Sequence, residues 1–454
     1  MQAAARQNLN SPFKNTIAVF RMDNTYTIQD SRIIGLPMAG SEDKFDPNVD
    51  FDIHCIVESA NPTGYYIICG SIRRGDGTGT TGIVVVLDAG LNTVPSAMGL
   101  REYPDVSHFY SVYAQDNYYY VCGRKHDGRG IVLRDNVTNY VPMAMAYITL
   151  QQWDYQKIRI RDIPGSGEIR VSGTGYSDDG VATEMGYTAF DIRAGNFSIL
   201  TNTWGPASWK WVPIGHSIGS KVMISNHPGG SGGLGLIVSV SNANGIYTYL
   251  FFSHPALNSA FHIPCPRGVL EDVECAPDNG NGPRIAWVGN TMPSDDMPQQ
   301  RAYFLRVNLP HPLPNPNPFP GAMATFTYFQ PFPTTNNAFY SLHKVYFERT
   351  FSGNGEFHAG GYYKHSNNNK TTFAVTPELI YNNCVTRNNV HATAINIPVG
   401  FRLQSLVLLN DRVNVNELGT LSKKYHFCPV DCDNNDLHGD GDECGNHLII
   451  IDNK

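Results

Sequence analysis

The chain has 454 residues, of which 16% are charged and 11% aromatic, and its formal net charge is −7. That negative charge argues against a nucleic-acid-binding protein, which usually presents a basic face. No run of about 18 apolar residues occurs, so the sequence predicts no transmembrane helix. Aromatic residues favour strands and the 43 glycines favour turns, so we expect an all-β protein.

The cysteines and the start of the chain bear on the compartment. Nine cysteines are many for a cytosolic protein, and their odd number excludes complete internal pairing. Together with the low charge and the richness in Asn, Gly, Thr and Tyr, they predict an extracellular or cell-surface protein. Residues 1–14 form a predicted N-terminal tail without an apolar leader core, so we expect a mature chain or one that never carried a leader.

Residues 15–454 are predicted to be a single domain built from one repeated unit. Each unit has an alternating strand, a short turn, a second strand ending in a small residue and Gly, a polar loop and an apolar third strand. The units start near residues 51, 108, 155, 209, 268, 341 and, more weakly, 401. Their second strands end at Gly70, Gly123, Gly173, Asn226, Gly289, Gly360 and Gly419.

This repeat predicts a β-propeller. A four-stranded antiparallel sheet cannot bury both of its faces alone, but sheets stacked around an axis do so. Seven units favour seven blades, with six or eight as alternatives and a sandwich array as the competing fold. The seventh unit lacks an obvious outer strand, so we expect an N-terminal strand within "TIAVFRMDNTYTIQDSRII" to complete it and close the ring.

The stretch "NHPGGSGGLGLIVSV", residues 226–240, matches two short functional patterns. Residues 229–233 read G-x-S-x-G, as in a serine nucleophile elbow, and residues 230–235 read G-x-G-x-x-G, as in a dinucleotide loop. Both devices need a helix after the glycines, whereas the strand-like "LIVSV" follows here. We interpret this stretch, and "GHSIG" at residues 215–219, as turns between strands.

The strand pairs "YYIICGS…GIVVVLDAGLN" and "YYYVCGR…GIVLRDN" resemble a known family. They are similar to the blades of secreted β-propellers common in Bacteroidota, in which a "GGYI(V/L)(A/C)G" strand leads through a polar loop to a "(I/V)(Y/L)(V/L)LKLD(S/A)xG" strand. The resemblance covers nearly the whole chain as a pattern. It implies a propeller fold and does not imply one activity, because propellers host many.

Antiparallel blades place every loop between second and third strands on one face of the fold. These loops are rich in carboxylates and imidazoles, which suits two interpretations: ordinary polar surface loops, or a binding face for cations, sugars or a basic partner. Its candidate residues are Asp76, Asp127, Asp178, Asp179, Asp295, Asp296, His126, His227 and His365. The sequence fixes no separation between two of these carboxylates, so a glycosidase assignment has no support from it.

Two cysteines, Cys69 and Cys122, occupy the same position of the repeat. Other units have Ser172 and Ala359 there, so the position requires a small residue and we predict two buried free thiols. The alternative is a disulfide between Cys55 and Cys69 across a hairpin, although the register from the sequence is off by about one residue. A further disulfide is predicted between the cysteines that flank the entry to the fifth unit, Cys265 and Cys275.

The segment "CPVDCDNNDLHGDGDECG", residues 428–445, concentrates acids and cysteines. Its candidate oxygen ligands follow part of the spacing of a calcium loop, which makes Ca²⁺ the cofactor that the sequence favours. They are Asp431, Asp433, Asn435 and Asp442. A standard EF-hand is excluded because Asp436 replaces its Gly. The interpretation that the sequence favours overall is a solvated turn without a metal, braced by disulfides among Cys428, Cys432 and Cys444, and a thiolate metal site is a further alternative.

The segment "LPHPLPNPNPFP", residues 309–320, has proline at every second position, which excludes a helix or an interior strand. We expect an extended bridge between the fifth and sixth units. The functional alternative is a stiff strap for a neighbouring subunit, which would lose little entropy on binding. The strap residues are Pro312, Pro314, Pro316, Pro318 and Phe319.

The sequence therefore predicts a secreted or surface-displayed binding or structural module, without a catalytic set. The first hypothesis is an adhesive or assembly subunit whose partners are other protein subunits or surface components. The second is a carbohydrate-binding protein that uses the acidic loop face. The third is a polysaccharide hydrolase or lyase on a propeller scaffold.

Overall fold

The computed structural model shows an all-β chain, as the sequence predicts, and the residues it describes include no α-helix. The structure describes residues 2–7, 16–22, 28–59, 63–75, 77, 79–93, 99–139, 141–160, 167–176, 183–200, 208–211, 221–226, 234–242, 245–252, 259–265, 268–276, 284–291, 300–308, 323–329, 339–349, 355–364, 370–375, 385–391, 393–396, 401–402, 408–424, 428–430 and 447–450. Within these ranges, no helix is long and apolar enough to span a membrane.

Most of the strands belong to seven antiparallel sheets, numbered 1 to 7 in chain order. Sheet 1 contains Gln2–Gln7, Thr16–Met22 and Ile28–Gly35. Sheet 2 contains Val49–Glu58, Tyr66–Arg74, Thr80–Leu87 and Leu100–Tyr103. Sheet 3 contains Val106–Gln115, Tyr118–Lys125, Arg129–Asn136 and the first part of Met143–Ile160. Within each sheet the strands are paired in chain order.

Sheets 3 and 4 share the long strand Met143–Ile160, whose second part, from Trp153, begins sheet 4. Sheet 4 continues with Glu168–Tyr176, Thr183–Asp191 and Ser208–Trp211. Sheet 5 contains Lys221–Asn226, Leu234–Asn242, Gly245–Phe252 and Ser259–Cys265. Sheet 6 contains Gly268–Ala276, Arg284–Thr291, Ala302–Asn308 and Met323–Phe329. Sheet 7 contains Phe339–Arg349, Gly355–Lys364 and Lys370–Val375.

Smaller elements lie between the sheets. Pro37–Met38 and Ser41–Phe45 form a short hairpin after sheet 1. Ser198–Ile199 pairs with the third strand of sheet 4, after a 3₁₀ turn at Arg193–Gly195.

The C-terminal part of the chain adds the outermost strand to six sheets, and we name residues 385–424 the C-terminal belt. Its strands pair antiparallel with sheets 6, 5, 4, 3, 2 and 1, in that order, which is the reverse of chain order. They are Val385–His391, Thr393–Asn396, Phe401–Arg402, Leu408–Asn414, Asn416–Leu418 and Leu421–Lys424. After the belt, His447–Ile450 and Cys428–Val430 extend sheet 7 through parallel pairing.

The sheets contact one another in a cyclic order. In sheets 2 to 7, the first strand in chain order packs against strands of the preceding sheet. The first strand of sheet 3, for example, contacts the first three strands of sheet 2. The last contact in this series joins sheet 7 to sheet 1, between Lys370–Val375 and Gln2–Gln7. Each sheet therefore has neighbours on both faces.

Apolar side chains fill the spaces between neighbouring sheets, because the strands alternate apolar residues toward both faces. Val86, Phe109 and Val121 are fully buried between sheets 2 and 3. Val413 and Val415 of the belt join the same cluster, so the belt is anchored by burial there as well as by backbone hydrogen bonds. Similar clusters lie between sheets 1 and 2, 3 and 4, and 6 and 7.

Three boundaries differ from those expected from the sequence. The fourth unit begins at Lys221, because the expected first strand near residue 209 is instead the last strand of sheet 4. The segment from residue 401 does not form a separate seventh sheet, since its strands are distributed along the belt. Within the expected tail, Gln2–Gln7 is a strand paired with Thr16–Met22, so the N-terminus supplies most of a sheet.

Candidate functional site

The first strands of five sheets share one irregularity. In sheets 2, 3, 4, 6 and 7, the pairing of the first strand with the second skips one residue, which is a β-bulge. The skipped residues are His54, Tyr110, Gln156, Glu271 and His343. Because side chains alternate along a strand, the extra residue shifts the phase of the apolar pattern.

That shift leaves a sequence signature in all five strands: an apolar residue, two residues of mainly polar type, and a second apolar residue. We name each copy a bulge tetrad. The copies read "IHCI" at residues 53–56, "FYSV" at 109–112, "YQKI" at 155–158, "LEDV" at 270–273 and "LHKV" at 342–345. In the tetrads of sheets 2, 3, 4 and 7, the two apolar residues pack into the same core cluster on one side of the strand, so the two middle residues lie together on the other side.

The bulge also explains the recurring glycine of the second strands. An ideal Cβ at Gly123 would lie 1.9 Å from the carbonyl oxygen of His108, and one at Gly70 would lie 2.2 Å from that of Asp52. The same contact in sheet 7 involves Gly361, 1.8 Å from the oxygen of Ser341. Only glycine leaves room for that oxygen. The expected anchor Gly360 is therefore one residue too early, because it pairs with Lys344 instead.

A bulge interrupts the backbone ladder, so the neighbouring sheet supplies side-chain partners. The thiol of Cys69 donates to the carbonyl oxygen of Phe109 at 3.9 Å, and that of Cys122 donates to Tyr155 at 3.6 Å. The prediction of two buried free thiols at this repeat position is confirmed for both residues. Cys69 does not form the alternative disulfide with Cys55, since both are free thiols.

The middle residues of the tetrads, with residues two positions upstream, form a mixed polar and aromatic group across sheets 2 to 4. We name Asp52, His54, His108, Tyr110 and Asp154 the bulge cluster. The ring centroids of His54 and Tyr110 lie 5.2 Å apart, and those of His108 and Tyr110 lie 5.8 Å apart with parallel planes. The Nε2 atom of His54 lies 3.8 Å from a carboxylate oxygen of Asp52, whose side chain is 53% exposed.

The environment sets the protonation states of this cluster. Burial, with the negative charge of Asp154, raises the pKa of Tyr110 well above its usual value, so the hydroxyl stays protonated. Burial lowers the pKa of His108 against the opposing charge of Asp52, so this imidazole stays neutral at pH 7. The cluster therefore offers neutral donors beside carboxylate acceptors, which suits hydrogen bonding to a polar ligand.

A second polar group lies at the tetrads of sheets 6 and 7. The Nδ1 atom of His343 lies 3.9 Å from a carboxylate oxygen of Glu271, and its Nε2 atom lies 2.9 Å from the hydroxyl of Ser341. The His343 ring also stacks on Tyr362, with centroids 5.3 Å apart. The side chain of His343 is 40% exposed, so this group is accessible to solvent.

Charged side chains of three tetrads meet deeper in the molecule, in what we name the ion-pair cluster. The ammonium group of Lys157 binds a carboxylate oxygen of Asp272 and the carbonyl oxygen of Val273 at 3.0 Å. The other carboxylate oxygen of Asp272 accepts a hydrogen bond from the backbone of Val345 at 3.3 Å. Asp272 is buried, which raises its pKa, but Lys157 and then Lys344 lower that pKa to about 2.

This cluster has a structural role. The contact between Lys157 and Asp272 joins the first strands of sheets 4 and 6, and Arg159 and Glu274 form a second ion pair beside it. A buried pair with these additional hydrogen bonds fixes the relative position of its strands. Among the side chains that the structure describes, no group of three or more His, Cys, Asp or Glu residues is arranged to hold a metal ion.

Two of the predicted binding-face residues are described. Asp127 lies in an exposed turn, where it binds Arg129 at 2.7 Å, and its side chain is 45% exposed. His126 is exposed and lies near His108, whose pKa its charge lowers. His126 and Asp127 therefore lie at the same end of sheet 3 as the bulge cluster. The cluster residues themselves lie on the first strands of sheets 2, 3 and 4, not in loops.

The other predicted site residues lie outside the described residues or on strands whose side chains are not described. They are Asp76, Asp178, Asp179, Asp295, Asp296, His227 and His365 of the binding face; Asp431, Asp433, Asn435 and Asp442 of the calcium loop; Cys265, Cys275, Cys428, Cys432 and Cys444; and Pro312, Pro314, Pro316, Pro318 and Phe319 of the strap. The glycine-rich residues 227–233 also lie outside the description, but strands flank them on both sides, as predicted.

The sequence held a signal for the bulge cluster that loop composition did not capture. In each of the five copies the first residue of the tetrad pairs with a glycine of the second strand, and this combination distinguishes the tetrads from ordinary alternation. A strict period of two, applied to these strands, assigns the residues after the bulge to the wrong face.

No family model matches the chain, and no curated protein or solved structure matches it.

Proposed function

We propose that the chain is a seven-bladed β-propeller, secreted or displayed at the cell surface, that acts as a non-catalytic binding module. The bulge cluster is its ligand site. The low charge and the abundance of Asn, Gly, Thr and Tyr support the extracellular location. The recurring bulge tetrad is the observation that carries the assignment of the site.

Two independent observations support a closed ring of seven blades. The contacts between sheets run from 1 to 7 and return from 7 to 1. The C-terminal segment visits the outer edges in the order 6, 5, 4, 3, 2, 1 and then 7, which is one full circuit if sheets 1 and 7 are neighbours. Stacking around an axis gives every sheet two covered faces, which an open sandwich does not.

In such a ring the first strands of the blades lie closest to the axis, with the belt at the rim. The tetrads then place polar side chains of five blades around the axial opening. Concave sites with convergent polar groups are the usual ligand sites of a fold. The neutral hydroxyl of Tyr110, the neutral imidazole of His108 and the carboxylate of Asp52 supply donors and acceptors around aromatic faces.

These groups favour a carbohydrate as the ligand. Sugars present many hydroxyl groups that both donate and accept hydrogen bonds, and they present apolar faces to aromatic rings. The raised pKa of Tyr110 opposes formation of a phenolate nucleophile. Binding by hydrogen bonds therefore accounts for the cluster better than catalysis does.

A glycan array followed by calorimetry tests this proposal. Tyr110→Phe should weaken binding of an array ligand by roughly tenfold, because it removes the hydrogen bond of a half-buried hydroxyl, and Asp52→Asn should weaken it less, because it removes the charge of an acceptor whose side chain is 53% exposed. Tyr113→Phe is the matched control, since it lies three residues further along the same strand and its hydroxyl binds Gln115 instead. Equal affinity for the wild type and both cluster variants would rule out this site.

A second candidate, an adhesive or assembly subunit, is favoured by the belt. In the pairing that the structure describes, belt strands are the outermost strands of six sheets. An outer edge presents backbone groups that can accept a strand from a partner. Electron microscopy and size-exclusion chromatography at high concentration test this candidate, and a strictly monomeric particle counts against it.

A further inference from the structure

Cys55 and Cys69 face each other directly across two strands of sheet 2. The bulge at His54 removes the one-residue offset that the sequence alone indicates, so Cys55 is the pairing partner of Cys69 in the ladder. Both side chains are free thiols. Both also pack into the core cluster between sheets 2 and 3, so they lie on the same face of sheet 2.

The separation of such partners suits a covalent link. Directly opposed residues of an antiparallel pair have Cα atoms about 4.5–5.5 Å apart. A disulfide needs a Cα separation of about 4.4–6.8 Å, which includes that range. The backbone therefore needs no rearrangement to bring the two sulfur atoms together, and rotation about the side-chain bonds is sufficient.

The two thiols differ in access. Cys55 is partly exposed, whereas Cys69 is fully buried and donates to the carbonyl oxygen of Phe109. Burial raises the pKa of Cys69 well above its usual value, so its thiolate is scarce at neutral pH. A small oxidant in solution therefore reaches Cys55 first.

We propose that Cys55 and Cys69 form an oxidisable cross-strand dithiol, a modification site whose co-reactant is a small-molecule disulfide such as oxidised glutathione. The inference does not depend on the proposed ligand site, because it concerns only the register and access of two thiols.

The chemistry proceeds by two exchanges. The Cys55 thiol loses its proton to water, and its sulfur attacks the small disulfide, which forms a mixed disulfide and expels one thiolate. The Cys69 thiol then loses its proton, and its sulfur attacks the Cys55 sulfur, which forms the protein disulfide and expels the second thiolate. Two protein thiols are oxidised, and one small disulfide is reduced to two thiols.

Sheet 3 provides an internal control at the equivalent positions. Cys122 occupies the position of Cys69 and makes the same contact with the next sheet, but its pairing partner is Ser111. Cys122 therefore has the same burial and the same hydrogen bond without an opposed thiol. It should remain reduced under conditions that oxidise Cys69.

The test treats the full chain with oxidised glutathione, blocks the remaining thiols with iodoacetamide after denaturation, and maps the peptides by mass spectrometry without reduction. We expect a cross-linked species that joins the Cys55 and Cys69 peptides, with Cys122 alkylated. The cross-link should form faster as the pH rises, because the second exchange needs the Cys69 thiolate. Complete alkylation of Cys69, with or without glutathione on Cys55, would overturn the proposal.

Two variants distinguish an effect of the pairing between opposed cysteines from a folding defect. The S111C variant should gain a second cross-link, to Cys122, under the same conditions, because it reproduces the opposed pair in sheet 3. The C55S variant should leave Cys69 alkylated while its circular-dichroism spectrum stays unchanged. If S111C forms its cross-link and the wild type does not form one at Cys69, the inference about sheet 2 is wrong.

Discussion

The inner and outer strands of the same sheets follow different rules. In five of the seven sheets the inner strand, which is the first strand at the edge opposite the belt, carries a repeated tetrad, a bulge and a partner glycine, so the local sequence determines its pairing. Outer belt strands share no repeated pattern, and they reach their sheets in reverse chain order. The two edges of one sheet are therefore formed in different ways. The pairing of the first strand follows from its own sequence, whereas the outermost strand is supplied by a segment that is distant in the chain.

The largest effect should come from the ion-pair cluster of the inner strands. Asp272→Asn leaves Lys157 and the partly buried Lys344 without the buried carboxylate charge. We expect a loss of about 3–5 kcal/mol in the free energy of unfolding, measured by urea denaturation. Arg129→Ala, which breaks the exposed pair with Asp127, should cost less than about 1 kcal/mol. Similar losses for the two variants would show that the inner charges are not buried as described.

Two glycines compare the bulged pairing of sheet 3 with the belt: Gly123 lies on the strand opposite the bulge, and Gly419 lies between two belt strands. Gly123→Ala places a Cβ against the carbonyl oxygen of His108, so the bulged strand must move, and we expect a loss of about 3 kcal/mol. Gly419→Ala, in the belt, meets nothing within 4 Å and should change stability by less than about 0.5 kcal/mol. Equal tolerance of alanine at both positions, in denaturant titrations, would contradict the bulge.

Acid should lower the free energy of unfolding through protonation of Asp272 in the inner strand of sheet 6. Its pKa is about 2 in the folded state and roughly 3.9 in an unfolded chain, so the folded state binds fewer protons between these values. The resulting stabilisation, on the order of 2–3 kcal/mol, is present above pH ~4 and is lost as the pH falls toward 2. The difference in unfolding free energy between wild type and Asp272→Asn should therefore shrink over this interval. A constant difference would mean that Asp272 titrates normally.

The smallest loss of stability should come from the belt, at Val413. This side chain is 1% exposed within the cluster between sheets 2 and 3, so Val413→Ala removes two buried methyl groups and should cost about 2 kcal/mol. Arg412→Ala, at the neighbouring exposed position, is the control and should be nearly neutral. Limited proteolysis would show whether the belt of the Val413→Ala variant is cleaved before the sheets.

The sequence was sufficient for the fold class and for most inner strands, since alternation and the recurring glycine of the second strands are local signals, although these glycines lie within the strands and not at their ends. It was insufficient for the belt, whose strands have two to seven residues and depend on edges formed elsewhere in the chain. Ser208–Trp211 shows the same limit, because only pairing with Thr183–Asp191 reveals it as an outer strand.

The candidate site was predictable only in part. Loop composition pointed to His126, beside the cluster, but it could not identify Tyr110 or His54, which are strand residues. A period of two assigns every second residue of a strand to the same face, and the bulges at His54 and Tyr110 break that rule. The register of Cys55 against Cys69 was missed for the same reason.

The reversed order of the belt has a consequence for biosynthesis. Sheet 2 has its first four strands once Tyr103 has left the ribosome, but its fifth strand starts at Asn416, roughly 300 residues later. At translation rates of about 5–20 residues per second, the nascent sheet waits roughly 15–60 s with its outer edge open. The sheets made earliest therefore wait longest for their outermost strands.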